Sequence, residues 1–182
     1  MKLEEVFRKT VRFLEQHKFP YLIIGGIAAG VLGEPRTTGD IDIDINIKKT
    51  SVKDFLKLVE KAGFKFRSAE VIKSVKETGT FKLWLGNFHI DFIIASTEFE
   101  ANAFQRKQRI KLFGIAANFP SAEDLILLKI IPARHIDLAD AENIVKRHKS
   151  KLDKKYLLDW AMKLSEVAED LRVYNEVKKL LD

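Results

Sequence analysis

The chain has 182 residues, a formal net charge of +6, 46% apolar residues and no cysteine. That apolar content suffices for a packed core and argues against disorder, and without cysteine there are no disulfides, thiolate metal sites or cysteine nucleophiles. No segment approaches the roughly 18 consecutive apolar residues of a membrane-spanning helix, and the start MKLEEVFRKT reads as a helix rather than a secretory signal, so a cytoplasmic protein without a membrane partner is expected.

Residues 2–18 place Leu3, Val6, Phe7, Thr10, Val11 and Leu14 on one helical face, and Pro20 ends the element. Tyr21–Ile24 is a short apolar run bounded by glycines, the pattern of a buried strand, and Ile27–Leu32 reads as a short helix starting after Gly25-Gly26. Ile41–Ile47 alternates isoleucine with acid and predicts a strand. Val52–Ala62 has helical spacing with Gly63 as its cap. Phe64–Phe66 reads as a strand, and Glu70–Lys76 as strand or helix. Thr80–Leu85 and Phe88–Ala95 read as two strands turned at Gly86-Asn87. Glu98–Phe104 reads as a helix and Arg106–Ile115 as an edge strand. From Ser121 the chain is helical: Ser121 and Asp124 form a capping pair, an apolar helix runs to Pro132, Asp137 caps the next through Lys149, and residues 153–163 and 165–181 supply two more. The order predicts an α/β (α+β) fold: a small mixed sheet with flanking helices over residues 1–119, then a helical region over 120–182, packed on that core or forming a single domain with it.

Three features carry chemistry. Gly25-Gly26, between a strand and a helix, lets the backbone approach a ligand with helix N–H groups aimed at an anion. The spacing is neither that of a dinucleotide-binding fold nor that of a P-loop, and a plain tight turn is the alternative. Asp40, Asp42 and Asp44 share one strand face about 6.8 Å apart. Such a face either meets water, as an edge strand does, or holds a hard divalent cation. Asp91 is the one acid in the apolar run Phe88–Ile94 and shares a face with His89. A buried carboxylate there needs a partner or a metal, and if its strand neighbours the acidic one the acids form one site.

In this order, a strand ending in Gly-Gly, an Asp-Ile-Asp pair and a later lone Asp, the chain closely resembles the DNA polymerase β-type nucleotidyltransferase superfamily, in particular its minimal stand-alone members. Arg36-Thr37-Thr38-Gly39-Asp40-Ile41-Asp42 is similar to the corresponding phrase of the abortive-infection type toxins, and PSAEDLILLKIIPARHIDLAD (120–140) looks like the segment that follows the core in those relatives. The resemblance implies Mg²⁺-dependent transfer of a nucleoside monophosphate from an NTP to an acceptor hydroxyl, releasing pyrophosphate. It puts Gly25 and Gly26 at the nucleotide turn. Asp40 and Asp42 become ligands of two Mg²⁺ ions, with Mn²⁺ as a substitute, and Asp91 the third ligand and the base. Arg36, Thr38 and Lys129 are assigned to the nucleotide. Lys129, the one charge in the apolar run 125–131, either snorkels to water or meets a phosphate, with Arg134 in support. Asp44 falls outside the pair and is expected to be a solvated or structural neighbour. Two departures stand out: Gly26 where many members have Ser, and Pro132 where relatives continue as helix.

The acceptor is left open between RNA or tRNA, a protein and a small molecule, and a cognate antitoxin is the partner the toxin likeness implies. A non-catalytic nucleotide- or partner-binding module on the same fold is one alternative, and an antibiotic adenylyltransferase another. The basic stretches 146–155 and 106–111 have no interleaved aromatic residues and read as solvated surface.

Overall fold

Alternation of apolar and polar residues decides the central sheet. The computed structural model, which describes all 182 residues, runs α1 (Leu3–Gln16), β1 (Tyr21–Ile24), α2 (Gly25–Leu32), β2 (Ile41–Ile45), α3 (Val52–Lys61), α4 (Ser68–Thr78), β3 (Thr80–Leu85), β4 (Phe88–Ile94), α5 (Glu98–Gln105), β5 (Gln108–Leu112), β6 (Ile115–Phe119), α6 (Ala122–Ile130), α7 (His135–His148), α8 (Lys154–Ala168) and α9 (Arg172–Leu181). The four-stranded sheet has the order β1-β2-β4-β3, with β2 and β4 parallel and the other neighbours antiparallel. Strands β5 and β6 form a separate hairpin. This is the α/β architecture the sequence predicts, and no helix is long and apolar enough to cross a membrane.

One face of the sheet is the core. Ile41, Ile43 and Ile45 of β2 stand in register with Ile90, Phe92 and Ile94 of β4, and all six are buried. Phe55 of α3 meets Phe13, Phe19, Phe81 and Phe92 edge-on at ring separations of 5.0 to 5.9 Å, joining helix and sheet through one aromatic cluster. Because strand side chains alternate, the acids and their neighbours are left to the other face.

Chain contacts divide the molecule into two units: Met1–Ile27 with Thr37–Phe119, and Ala28–Arg36 with Pro120–Asp182. The first holds the sheet and the hairpin. In the second, α6 packs against α7, α8 and α9, which explains why it is apolar nearly all round. Ser121 opens α6, accepting the Asp124 amide and donating its hydroxyl to the Asp124 carboxylate.

Several boundaries differ from expectation. Helix α2 starts at the glycines rather than after them. Phe64–Phe66 contributes a single bridge, Lys65 to Trp84, and Glu70–Lys76 lies inside α4, which Gly79 ends in a left-handed conformation. The expected edge strand Arg106–Ile115 reverses at Phe113-Gly114, both at positive φ, and becomes the β5–β6 hairpin. Asp137 is not a helix cap: Arg134 holds that position, and Asp137 lies buried in the first turn of α7.

Candidate active site

Parallel pairing of β2 with β4 sets Asp42 directly opposite Asp91. Asp40, one residue before β2, and His89, two before Asp91, project from the same face. Ligating atoms of Asp40, His89 and Asp91 all lie within 4.8 Å of one another. The His89 Nε2 is 3.4 Å from Asp91 and 3.8 Å from Asp40, so the imidazole stands between the two acids. Across β3, Lys82 pairs with Asp91 in register and its Nζ lies 3.2 Å from Oδ1. These side chains are 30 to 43% exposed, so the ion pairs are screened and exchangeable. Thr38 donates its hydroxyl to Asp40 Oδ1 at 2.6 Å, which orients that carboxylate.

Gly25 is shaped by Asp42. Ile24 pairs with Asp42 across β1 and β2, so the chain leaves β1 beside the carboxylate. Gly25 has φ +65°, and a Cβ on it would fall 1.8 Å from Asp42 Oδ2 and 2.6 Å from Asp42 Cβ. Glycine is thus required twice, for its conformation and for the space the acid occupies. The turn delivers the first N–H groups of α2, with their partial positive charge, next to Asp42. Gly26, the second residue of the pair, is buried within the first turn of the helix.

Of the two expectations for Asp44, a solvated or a structural neighbour, its burial excludes the solvated one. The residue is 2% exposed, stands in register with Leu22 and Ile93, and its Oδ1 has no hydrogen-bond partner. Burial, and then the charge of Glu100, push its carboxyl up from 3.8 to about 8. The acidic ladder therefore changes character along its length, from half-exposed at Asp40 to enclosed at Asp44.

The cations assigned to the nucleotide are engaged elsewhere. Lys129 Nζ donates to Asp137 Oδ1 at 2.9 Å and Asp140 Oδ2 at 2.8 Å, and all three side chains are at most 5% exposed. Arg36 donates through Nε and Nη2 to both oxygens of Asp140, at 2.9 and 3.0 Å. Arg134 Nε donates to Asp137. Burial alone would raise the Asp137 carboxyl, but hydrogen bonds from Arg134 and Lys129 and their charges hold it below the usual carboxylate range. Lys129 and Arg36 are thus counter-ions of buried acids within the helical unit, and Thr38 a ligand of Asp40. The role of Asp140 had one sequence signal: Asp137 and Asp140 are three apart, so on a helix they share a face.

No family model and no curated protein matches the sequence. Among solved structures, the chain is similar to the antibiotic-resistance factor ANT(2'')-Ia, known from its solution structure, with a TM-score of 0.62 and 12% identity over 91% of this chain and 95% of that one. It is also similar to JHP933 from Helicobacter pylori, known from its crystal structure, with a TM-score of 0.52 and 14% identity over 98% and 90% of the two chains. At these identities the likeness is one of fold. The fold is of the nucleotidyltransferase type: a small mixed sheet, flanking helices and a helical C-terminal region.

Proposed function

We propose that this chain is a metal-dependent nucleotidyltransferase, moving a nucleoside monophosphate from an NTP to an acceptor hydroxyl with release of pyrophosphate. The observation that carries the reading is the parallel register of β2 and β4, which sets Asp42 against Asp91 on a face shared with Asp40 and leaves room for that face only by placing glycine at position 25. The donor set suits a divalent ion: the Asp40 and Asp91 carboxylates and the His89 imidazole offer ligating atoms within 4.8 Å of one another on an accessible face, and Asp42 stands in register beside Asp91. Asp40, Asp42 and Asp91 would hold Mg²⁺ or Mn²⁺, which when bound neutralises triphosphate charge and steadies the attacking and leaving oxygens.

The chain's own groups supply the rest. The first N–H groups of α2 at Gly25-Gly26 offer partial positive charge to the phosphates. Asp91 takes the proton of the acceptor hydroxyl as its oxygen attacks the α-phosphorus, and the bond to the β-phosphate breaks with pyrophosphate leaving. Thr38 fixes the Asp40 carboxylate, and Arg36, gripping Asp140, steadies the segment that leads to Thr38. Rate enhancement comes from positioning and charge neutralisation. The likeness of Arg36–Asp42 to the toxin-type phrase supports a finer reading, a cytoplasmic toxin held by a cognate antitoxin.

Incubation with labelled NTPs, Mg²⁺ or Mn²⁺ and RNA, protein or small-molecule acceptors tests the reading. Label transfer is expected for the native chain and a loss on the order of a hundredfold or more for Asp42→Ala and Asp91→Asn. Transfer that survives both substitutions overturns it.

A further inference from the structure

The edge strand β3 carries an exposed aromatic residue beside the acidic cluster. Trp84 is 36% exposed, a large apolar surface for a residue on a strand. It pairs in register with His89, and Lys82, two residues earlier, pairs with Asp91. The indole and the lysine therefore share the face of the proposed catalytic acids. Backbone bonds in both directions between Lys65 and Trp84, each 2.8 Å, hold the segment Lys65–Arg67 alongside the tryptophan.

Two cavities of about 250 and 460 Å³ meet there, both lined by Trp84, Arg67 and Glu70. The smaller extends to Lys82 and Ser74, the larger to Lys65. Three cations thus ring one exposed aromatic ring; Lys82 also pairs with Asp91 of the acidic cluster, and a single acid lines both cavities. That acid, Glu70, pairs with Arg67 where both side chains are more than 60% exposed, so the pair yields easily to a competing anion.

We propose that this groove is the acceptor site and that the acceptor is the end of a single-stranded nucleic acid. The inference rests on the transferase reading above for the role of Asp91. A base stacks on Trp84, backbone phosphates pair with Lys82, Lys65 and Arg67, and the terminal hydroxyl lies on the Asp91 side of the ring. Lys82 and Trp84 are about 6.8 Å apart along the strand, so a nucleotide seated on the indole has a neighbouring phosphate within reach of Lys82. A flat aromatic ring flanked by cations is how single strands are held without sequence preference. In a duplex the bases are stacked on one another and closed to the indole. A cationic small molecule would be repelled by the three cations, and a protein hydroxyl brings neither base nor phosphate to satisfy them.

The chain has two tryptophans, so a Trp160→Phe background leaves Trp84 as the only indole emitter. An eight-nucleotide single-stranded RNA, the same sequence as DNA, and the duplex of each are titrated in EDTA without NTP. Saturable, salt-sensitive quenching by single strands is expected, with the RNA and DNA arms showing which sugar is preferred. By fluorescence polarisation of labelled oligonucleotide, Trp84→Ala weakens binding about tenfold or more and Trp84→Phe retains most of it. A Lys65→Ala/Arg67→Ala double variant lowers the salt dependence by about two phosphate contacts. Circular dichroism establishes that each variant is folded. No quenching, equal binding of duplex, or unchanged affinity in Trp84→Ala overturns the proposal. Since neither metal nor NTP is present, the two readings fail separately. Transfer to a protein or small molecule with KM unaffected by Trp84→Ala removes the groove and leaves the transferase. Binding through Trp84 in a chain that transfers nothing keeps the groove and removes the transferase.

Discussion

Gly25 and Asp42 constrain each other so closely that neither can be changed alone. A methyl group at position 25 would collide with the Asp42 side chain down to its Cβ, so rotating the carboxylate does not clear it. The left-handed backbone adds about 1–2 kcal/mol of strain for any other residue. Gly25→Ala is therefore expected to displace Asp42 and reduce label transfer about as far as Asp42→Ala does, with a lowered melting temperature. Gly114→Ala is the control, since Gly114 has φ +81° with nothing within 4 Å and should cost only strain. Equal behaviour of the two variants in the transfer assay would show that the clash is harmless. Asp44 makes a second argument at this scale, from its carboxyl at about 8 against 3.8 when free. The folded chain keeps a proton there that the unfolded chain releases above about pH 4, so stability falls as pH rises from about 4 to about 8, by roughly 1.4 kcal/mol for each unit. Asp44→Asn removes that dependence. In EDTA its melting temperature should exceed the native one clearly at pH 8 and little at pH 4. A gain of the same size at both would sink the assignment.

Among the elements, α6 and α7 are joined by a charge network rather than by apolar packing alone. Lys129 on α6 meets two acids of α7 that are at most 5% exposed. Removing Lys129 withdraws a buried donor from both acids, but Arg36 still holds Asp140 and Arg134 still holds Asp137, so the cost stays below the about 3–5 kcal/mol of a charge left wholly unpaired. Lys129→Met should cost about 1–3 kcal/mol in urea denaturation, and Asp137→Asn or Asp140→Asn should cost less in its presence than in the native chain. Additive losses across the three would deny the coupling. This network also shows what a sequence discloses. The isolated lysine in 125–131 was visible, but its partners were not, because they depend on how α7 packs. The strands β1, β3 and β4 were legible from apolar alternation and the glycine turn. Helix α4 was ambiguous because it buries only Val71 and Val75. The β5–β6 reversal was hidden by Phe113, a non-glycine residue at positive φ. Spacing brought Asp40, Asp42 and Asp91 forward as candidates, and their assignment as metal ligands came from the family resemblance. The seat of His89 between two of them, and the cations around Trp84, required the pairings β2 with β4 and Lys65 with Trp84.

For the molecule as a whole, an acidic site in a chain of net charge +6 has a definite energetic meaning. The surplus field favours approach of a triphosphate or a nucleic acid, within a screening length of about 10 Å at 0.1 M salt. The carboxylates repel one another until a cation, Lys82 or a divalent ion, neutralises them. A divalent ion that binds only the folded chain must then stabilise it, by about 2.7 kcal/mol at a hundred times its dissociation constant. The proposed ligands all belong to the sheet-bearing unit, and the Lys129 network to the helical one. Calorimetry should accordingly show a melting midpoint that rises with Mg²⁺ or Mn²⁺ and one that falls with Lys129→Met. The two effects should be close to additive, because the sites share no partner. Asp42→Ala should abolish the metal response and leave the Lys129→Met response intact. A metal response that survives Asp42→Ala would overturn the assignment of the ligands.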